Sequence, residues 1–236
     1  MLTVAVVVSG LAAPARSADV QLNTGSGAPY QVRVKSWWEI PFRSVVRQQY
    51  DFSCGSAAVA TLLTYHYGHR VSERKSFSAM WQAGNQEAIR KVGFSMLEMK
   101  TFLEQIGYRV EGYQLTPAQL ARLDRPSIVL LDQNGYKHFV VVKGVRGKAV
   151  MLGDPSLGLK EYSLEAFSKA WNGIALAIVS GSGEKPIYNS PRDWDPWARA
   201  PIAGYSSPET AATISTHLPP IYQVTPEILV NTTAGF

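Results

Sequence analysis

The 236-residue chain has a single cysteine, Cys54, and few charges, 17% of its residues being Asp, Glu, Lys or Arg. One cysteine excludes an intrachain disulfide, and thiolate metal sites recruit several. Cys54 is therefore either a buried inert thiol or a reactive one. The net charge of +5 is spread along the chain. Arg70, Arg74 and Lys75 come closest to a basic cluster, too sparse to track a phosphate backbone, so no nucleic-acid partner is expected. No glycine-rich phosphate loop is present, and no cofactor is expected. His66 and His69 have the spacing of a metal pair, but Gly68 lies between them and no third ligand adjoins, so no metal is expected. No internal repeat is found.

Long apolar runs are missing beyond the start. No later stretch reaches ~18 uninterrupted apolar residues, so no integral membrane span is expected in the mature protein. Leu2–Ala13 is apolar apart from Ser9 and Gly10, and Ala13-Pro14-Ala15 or Ala18 supplies a small-residue cleavage site. Residues 1–18 thus read as a signal peptide, although no Lys or Arg precedes the apolar run. Export is the expectation.

What is present falls into three further parts. Residues 19–36 are a lead-in and strand: 19–29 reads as flexible, and Gln31–Trp37 alternates apolar with polar. Residues 37–180 are the expected domain. A helix runs from Gly55 to Tyr67, with Ser53 at its N-cap and Gly68 as its stop. Ser76–Ala83 and Gln86–Val92 read as short helices, and Ser95–Ile106 as a longer one. Thr116-Pro117 opens another, proline being tolerated in a first turn. The period then changes: Ser127–Asp132, His138–Lys143 and Ala149–Leu152 are short β-branched or apolar runs, with turn signals at Asn134-Gly135 and Arg146-Gly147. A helix over Leu164–Trp171 and a strand over Ile174–Ser180 follow. Helices first and an antiparallel sheet afterwards make an α+β domain. Residues 181–236 form a proline-rich tail with Trp194, Trp197 and Tyr205 scattered in it. It is expected to be mostly extended and partly disordered, with the aromatics as anchors wherever it wraps the domain.

A thiolate is the nucleophilic form of cysteine, and a helix N-terminus such as the one Cys54 begins favours it. The thiol also needs a base. His66 and His69 lie about three turns along the same helix, roughly 18 Å away by helix rise, and cannot reach it. His217 lies in the tail. His138 opens a strand beside a turn, a rigid mount for a catalytic imidazole. Asp154 ends the next strand, and the antiparallel return brings it towards His138, where a carboxylate would orient the ring. Alone, Asp154-Pro155 reads as a turn initiator. An acyl transfer also needs donors for the oxyanion, which the side-chain amide of Gln48 or Gln49 and the Cys54 N–H can supply. Spacing alone does not separate the two glutamines.

The pattern Gln48-x5-Cys54-Gly55, His138-Phe-Val-Val-Val, Gly153-Asp154-Pro155 resembles the C39 peptidases, papain-like cysteine proteases. Their best-known members are transporter domains that remove double-glycine leaders from bacteriocins. The resemblance covers roughly residues 37–180. It implies a papain-like fold, N-terminal helices packed on an antiparallel β-sheet, and a Cys54-His138-Asp154 triad, and it selects Gln48 as the oxyanion residue. Two departures stand out: Ser53 occupies a position that is often acidic in transporter-linked members, and no transporter domain is present. Tyr50–Gly55 and Gly93–Lys100 are similar instead to stand-alone exported members, including the peptidase of bacterial functional-amyloid secretion systems. The expected activity is an exported cysteine endopeptidase, periplasmic or otherwise secreted. It would cut after small residues, at Gly-Gly or Gly-Ala sites, in a peptide or protein substrate, with secretion-system components as further partners. Two alternatives use the same residues: a catalytically silent C39-like module that binds a secretion substrate, and an acyltransferase of the transglutaminase type.

Overall fold

Two short strands, β1 (Ala18–Leu22) and β2 (Tyr30–Val34), pair antiparallel with Ala18 opposite Val34. Part of the stretch read as a flexible lead-in is therefore strand. The computed structural model describes residues 18–22, 30–34, 39–133, 136–181, 183 and 185–195, with β1, β2, Gln133 and Tyr136 described by backbone alone. The start of the signal segment, the Asn134-Gly135 turn, and the tail aromatics Trp197 and Tyr205 with His217 lie outside these residues.

After a 3-10 turn at Ile40–Phe42 come four helices: α1 (Cys54–His66), α2 (Glu73–Ala83), α3 (Gln86–Val92) and α4 (Met96–Gln105). Helix α1 is built from small and apolar residues on every side, and residues 54–63 are all buried, as an all-round apolar helix requires. Gly55 makes its close packing possible: a Cβ there would stand 3.0 Å from Phe94 Cβ and 3.6 Å from Met99 Sδ. The surrounding helices start on local capping. Ser72 accepts from Lys75 N, Asn85 from the amides of Glu87 and Ala88, and Ser95 forms a capping box with Glu98.

Strand β3 (Arg109–Gln114) and helix α5 (Pro117–Arg122) precede β4 (Ser127–Gln133), β5 (Tyr136–Arg146), β6 (Ala149–Asp154) and β7 (Gly158–Ser163). Helix α6 (Leu164–Ala170) and β8 (Trp171–Ser180) close the sheet. Its order is β3-β8-β4-β5-β6-β7, with every neighbouring pair antiparallel. Successive residues of a strand face opposite ways. Ile128, Val141 and Leu176 join a core with α1, α2 and α4, while Val129, Val140, Val142 and Leu152 join a second core with Leu120 of α5 and Phe167 of α6. Both faces are covered, which explains why these strands read as continuous apolar runs. The fold is α+β with N-terminal helices on an antiparallel sheet, as expected. Strands β3 and β7 are additions to the expected set, and α5 and α6 cover the face opposite α1.

Residues 185–195 turn back across the domain and end in a short helix, α7 (Pro191–Trp194), where an extended tail was expected. Ile187 N–H donates to His66 O at 2.9 Å and Asn189 N–H to Lys143 O at 2.9 Å, and Trp194 packs beside Val45, Met151 and Leu159. The carbonyl that Asn189 takes belongs to a β-bulge: Val142 pairs with Leu152 and Gly144 with Met151, leaving Lys143 between them.

Candidate active site

Cys54 is the first residue of α1, and it is 7% exposed. The residue before it, Ser53, occupies the N-cap position but does not cap the helix. Its hydroxyl instead donates to Tyr50 O at 2.9 Å and accepts from Tyr50 N–H at 3.1 Å. The side chain closes the 50–53 turn, so the helix start is not filled by a capping oxygen. The N-terminal amides and the positive end of the helix dipole are thus left to whatever group sits at Cys54.

His138, two residues into β5, and Asp154, the last residue of β6, are 6% and 5% exposed. The β5–β6 hairpin brings them together as antiparallel geometry requires, and His138 Nε2–H donates to Asp154 Oδ1 at 2.8 Å. That oxygen also accepts the amides of Ser156 at 2.8 Å and Leu157 at 3.1 Å. Three donors on one oxygen fix the position of the carboxylate. With Nε2 committed to Asp154, Nδ1 is the ring nitrogen that remains for the thiol. Burial opposes a charge on the ring. The hydrogen bonds to Asp154 and Cys54, with the charge interactions behind them, outweigh it and raise the His138 pKa to about 9.

Gln48 reaches the site from the other side. Its N–H donates to Pro155 O at 3.0 Å, its Nε2 donates to Tyr50 O at 3.1 Å, and its Oε1 accepts from Ser156 Oγ at 2.9 Å. Gln49 is exposed. Cys54, His138, Asp154 and Gln48 thereby lie along one chain of contacts, in which the Asp154–Gly158 turn is the junction. Ser156 was not singled out from the sequence. Its signal was a hydroxyl two residues after the aspartate, which reads as ordinary turn chemistry.

The two histidines dismissed by distance have other partners. His69 Nδ1 lies 3.2 Å from Tyr108 Oη. His66 is buried at the far end of α1, where Nδ1–H donates to Ile187 O at 2.5 Å and Nε2 accepts from Lys143 Nζ at 3.1 Å. Burial first, and then the Lys143 charge, push the His66 pKa well below its usual value. Lys143 is 1% exposed and also donates to Ser44 O at 3.0 Å, with Asp193 Oδ2 at 3.4 Å. Among the described residues no group of three or more His, Cys, Asp or Glu side chains is placed to hold a metal ion.

The arrangement sets a thiol against an imidazole, orients the ring through a carboxylate, and offers a side-chain amide near a helix N-terminus. Comparison with known proteins identifies the family. The peptidase C39 family model matches residues 43–183. The probable functional amyloid protease FapD of Pseudomonas aeruginosa is 44% identical over 155 residues, covering 66% of this chain and 68% of that protein. Its counterpart in Pseudomonas fluorescens is 41% identical over 159 residues, covering 67% and 70%. The crystal structure of a double glycine motif protease from an AMS/PCAT transporter, in complex with the leader peptide, is 26% identical with a TM-score of 0.49, covering 60% of this chain and 90% of that one. Among the described residues no helix is long and apolar enough to cross a membrane.

Proposed function

The chain belongs to the peptidase C39 family, and we propose that it is an exported cysteine endopeptidase working through Cys54, His138 and Asp154. The observation that carries this reading is His138 itself, which bonds Asp154 through Nε2 at 2.8 Å, and whose hydrogen bonds to Asp154 and then to Cys54 together raise its pKa to about 9 against burial. The thiolate attacks the scissile carbonyl, and the developing oxyanion takes hydrogen bonds from Gln48 Nε2–H and the Cys54 N–H. The His138 imidazolium gives its proton to the leaving amine, which departs and leaves a thioester on Cys54. Neutral His138 then takes a proton from water as the water attacks the thioester. Collapse releases the acid product and restores the thiolate, and the imidazolium re-forms. Asp154 keeps the ring in one orientation throughout.

The substrate is a secreted or secretion-system protein cut after a small residue, at Gly-Gly or Gly-Ala sites. The support is the similarity to proteases named for functional amyloid and the double-glycine preference of the family. The test is incubation of the full chain, and of Cys54→Ala, with peptides carrying an internal Gly-Gly or Gly-Ala, followed by product mass. The reading expects hydrolysis products ending in glycine from the wild type alone. Peptides that bind and remain intact would favour the silent binding module. Masses of cross-linked or transferred products would favour the acyltransferase.

A further inference from the structure

Resting on the peptidase reading, we infer that Ser156 is a positioning residue, holding the Gln48 amide in the orientation that aims an N–H at the oxyanion. A carboxamide has two ends that differ in hydrogen-bond character, and only one way round is useful here. The Tyr50 carbonyl can only accept, so the Gln48 end 3.1 Å from it must be the NH2. Oε1 is thereby turned to Ser156, whose hydroxyl must donate its one proton across 2.9 Å. The two contacts fix the plane and the sense of the amide, and the second N–H on Nε2 is left for substrate. The backbone N–H of Gln48 is tied to the same turn through Pro155 O at 3.0 Å.

Ser156 serves the two halves of the site by different atoms. Its side chain holds Gln48, while its main-chain N–H, with that of Leu157, holds Asp154 Oδ1. Turn placement is independently locked. Gly158 has φ +83°, and a Cβ there would fall 2.5–2.7 Å from Pro41 atoms, so the turn seats directly on the 40–42 segment. Substituting the hydroxyl therefore loosens Gln48 without removing any bond to Asp154.

That separation makes the test selective. Ser156→Ala is expected to lower kcat roughly three- to tenfold, the worth of one hydrogen bond expressed as a rate, with KM unchanged. Ser156→Thr, which keeps the hydroxyl, should restore most of it. In a Gln48→Ala background, Ser156→Ala should have no further effect on kcat, because the group it positions is gone. The alkylation rate of Cys54 by iodoacetamide should be the same in wild type and Ser156→Ala, since the thiol–imidazole pair does not use Gln48. Equal losses from Ser156→Ala in the wild-type and Gln48→Ala backgrounds, or a parallel fall in alkylation, would overturn the assignment. Cleavage by Gln48→Ala at the wild-type rate would instead remove the oxyanion role on which it stands. Cleavage by Cys54→Ala would remove the peptidase reading altogether.

Discussion

Asp193→Asn changes one atom and removes one charge from the buried cluster that ties the 185–195 segment to the domain. Lys143 sits in that cluster with three acceptors for its three protons: Ser44 O, His66 Nε2 and Asp193 Oδ2. The Lys143 and Asp193 side chains are 1% and 7% exposed, so solvent does little to screen them. Burial pulls the Lys143 pKa down, Asp193 pulls it back up, and the balance lies at about 8. The folded pKa is thus below the unfolded value of about 10.4, and stability rises with pH between the two. Without the Asp193 charge the folded pKa drops further, so over a window just below pH ~8 the lysine is neutral in the folded variant where it is charged in the wild type. This caps the loss. If the mutant lysine is neutral at pH ~7, the charge contribution forfeited is on the order of 1 kcal/mol, and at pH ~9, above the folded pKa, it is close to nil. The cap is smaller than the ~3–5 kcal/mol typical of a broken buried pair that cannot neutralise. Asn retains an oxygen for Ser44 Oγ, which bonds Asp193 Oδ1 at 2.6 Å, so other losses stay small. Urea unfolding followed by tryptophan fluorescence at pH ~7 and pH ~9 measures both. A destabilisation that is equal at the two pH values would refute the argument and assign the cost to packing.

Three further outcomes follow from the site. The raised His138 pKa, about 9 against an ordinary 6.5, contributes stability that is fully present below pH ~6.5 and is lost as pH rises through ~9. The alkaline limb of kcat should fall near the same pH, and Asp154→Asn, which weakens the raising influences, should move it towards neutrality in a pH–rate profile. Gly158→Ala forces a side chain into φ +83° and against the Pro41 backbone. The strain alone is worth about 1–2 kcal/mol, and thermal melting should show at least that loss, with a fall in kcat as the Asp154–Gly158 turn moves. Removing residues 185–236 should strongly destabilise the domain, because Val45, Met151 and Leu159 lose Trp194, and the His66 ring and the His66 and Lys143 carbonyls lose their partners at Ile187 and Asn189; circular dichroism of a chain ending at residue 184 checks this.

The parts that could be read from the sequence share a physical cause. Residues 54–66 are mostly small and apolar over three turns, and 128–131, 139–142 and 149–152 are apolar without break, because both faces of the sheet are buried. Such patterns are local and strong. The hairpin return then carries Asp154 to His138 by register alone. What escaped was either weakly patterned or non-local. Strands β3 and β7 are sheet edges with polar residues such as Glu111, Gln114, Lys160 and Glu161, so burial imposes little periodicity on them. The 185–195 segment has no period at all. It is held by backbone bonds to His66 and Lys143 and by one buried charge pair, partners roughly 40 to 120 residues away along the chain. Ser53 stands where a capping residue should, yet its hydroxyl is spent on Tyr50, a choice that depends on the turn before the helix. Between Gln48 and Gln49, neighbouring residues of one type, only the family resemblance distinguished them.

The most direct measurement is the rate of Cys54 alkylation by iodoacetamide against pH, in the full chain and in His138→Ala. It needs no substrate and reports only on the thiol and its partner. A thiolate paired with the His138 imidazolium predicts rapid alkylation persisting well below pH ~7, and its loss in the variant. Slow alkylation that rises only near pH ~8.5, the same in both proteins, would show an ordinary thiol and contradict the catalytic role given to Cys54 and His138.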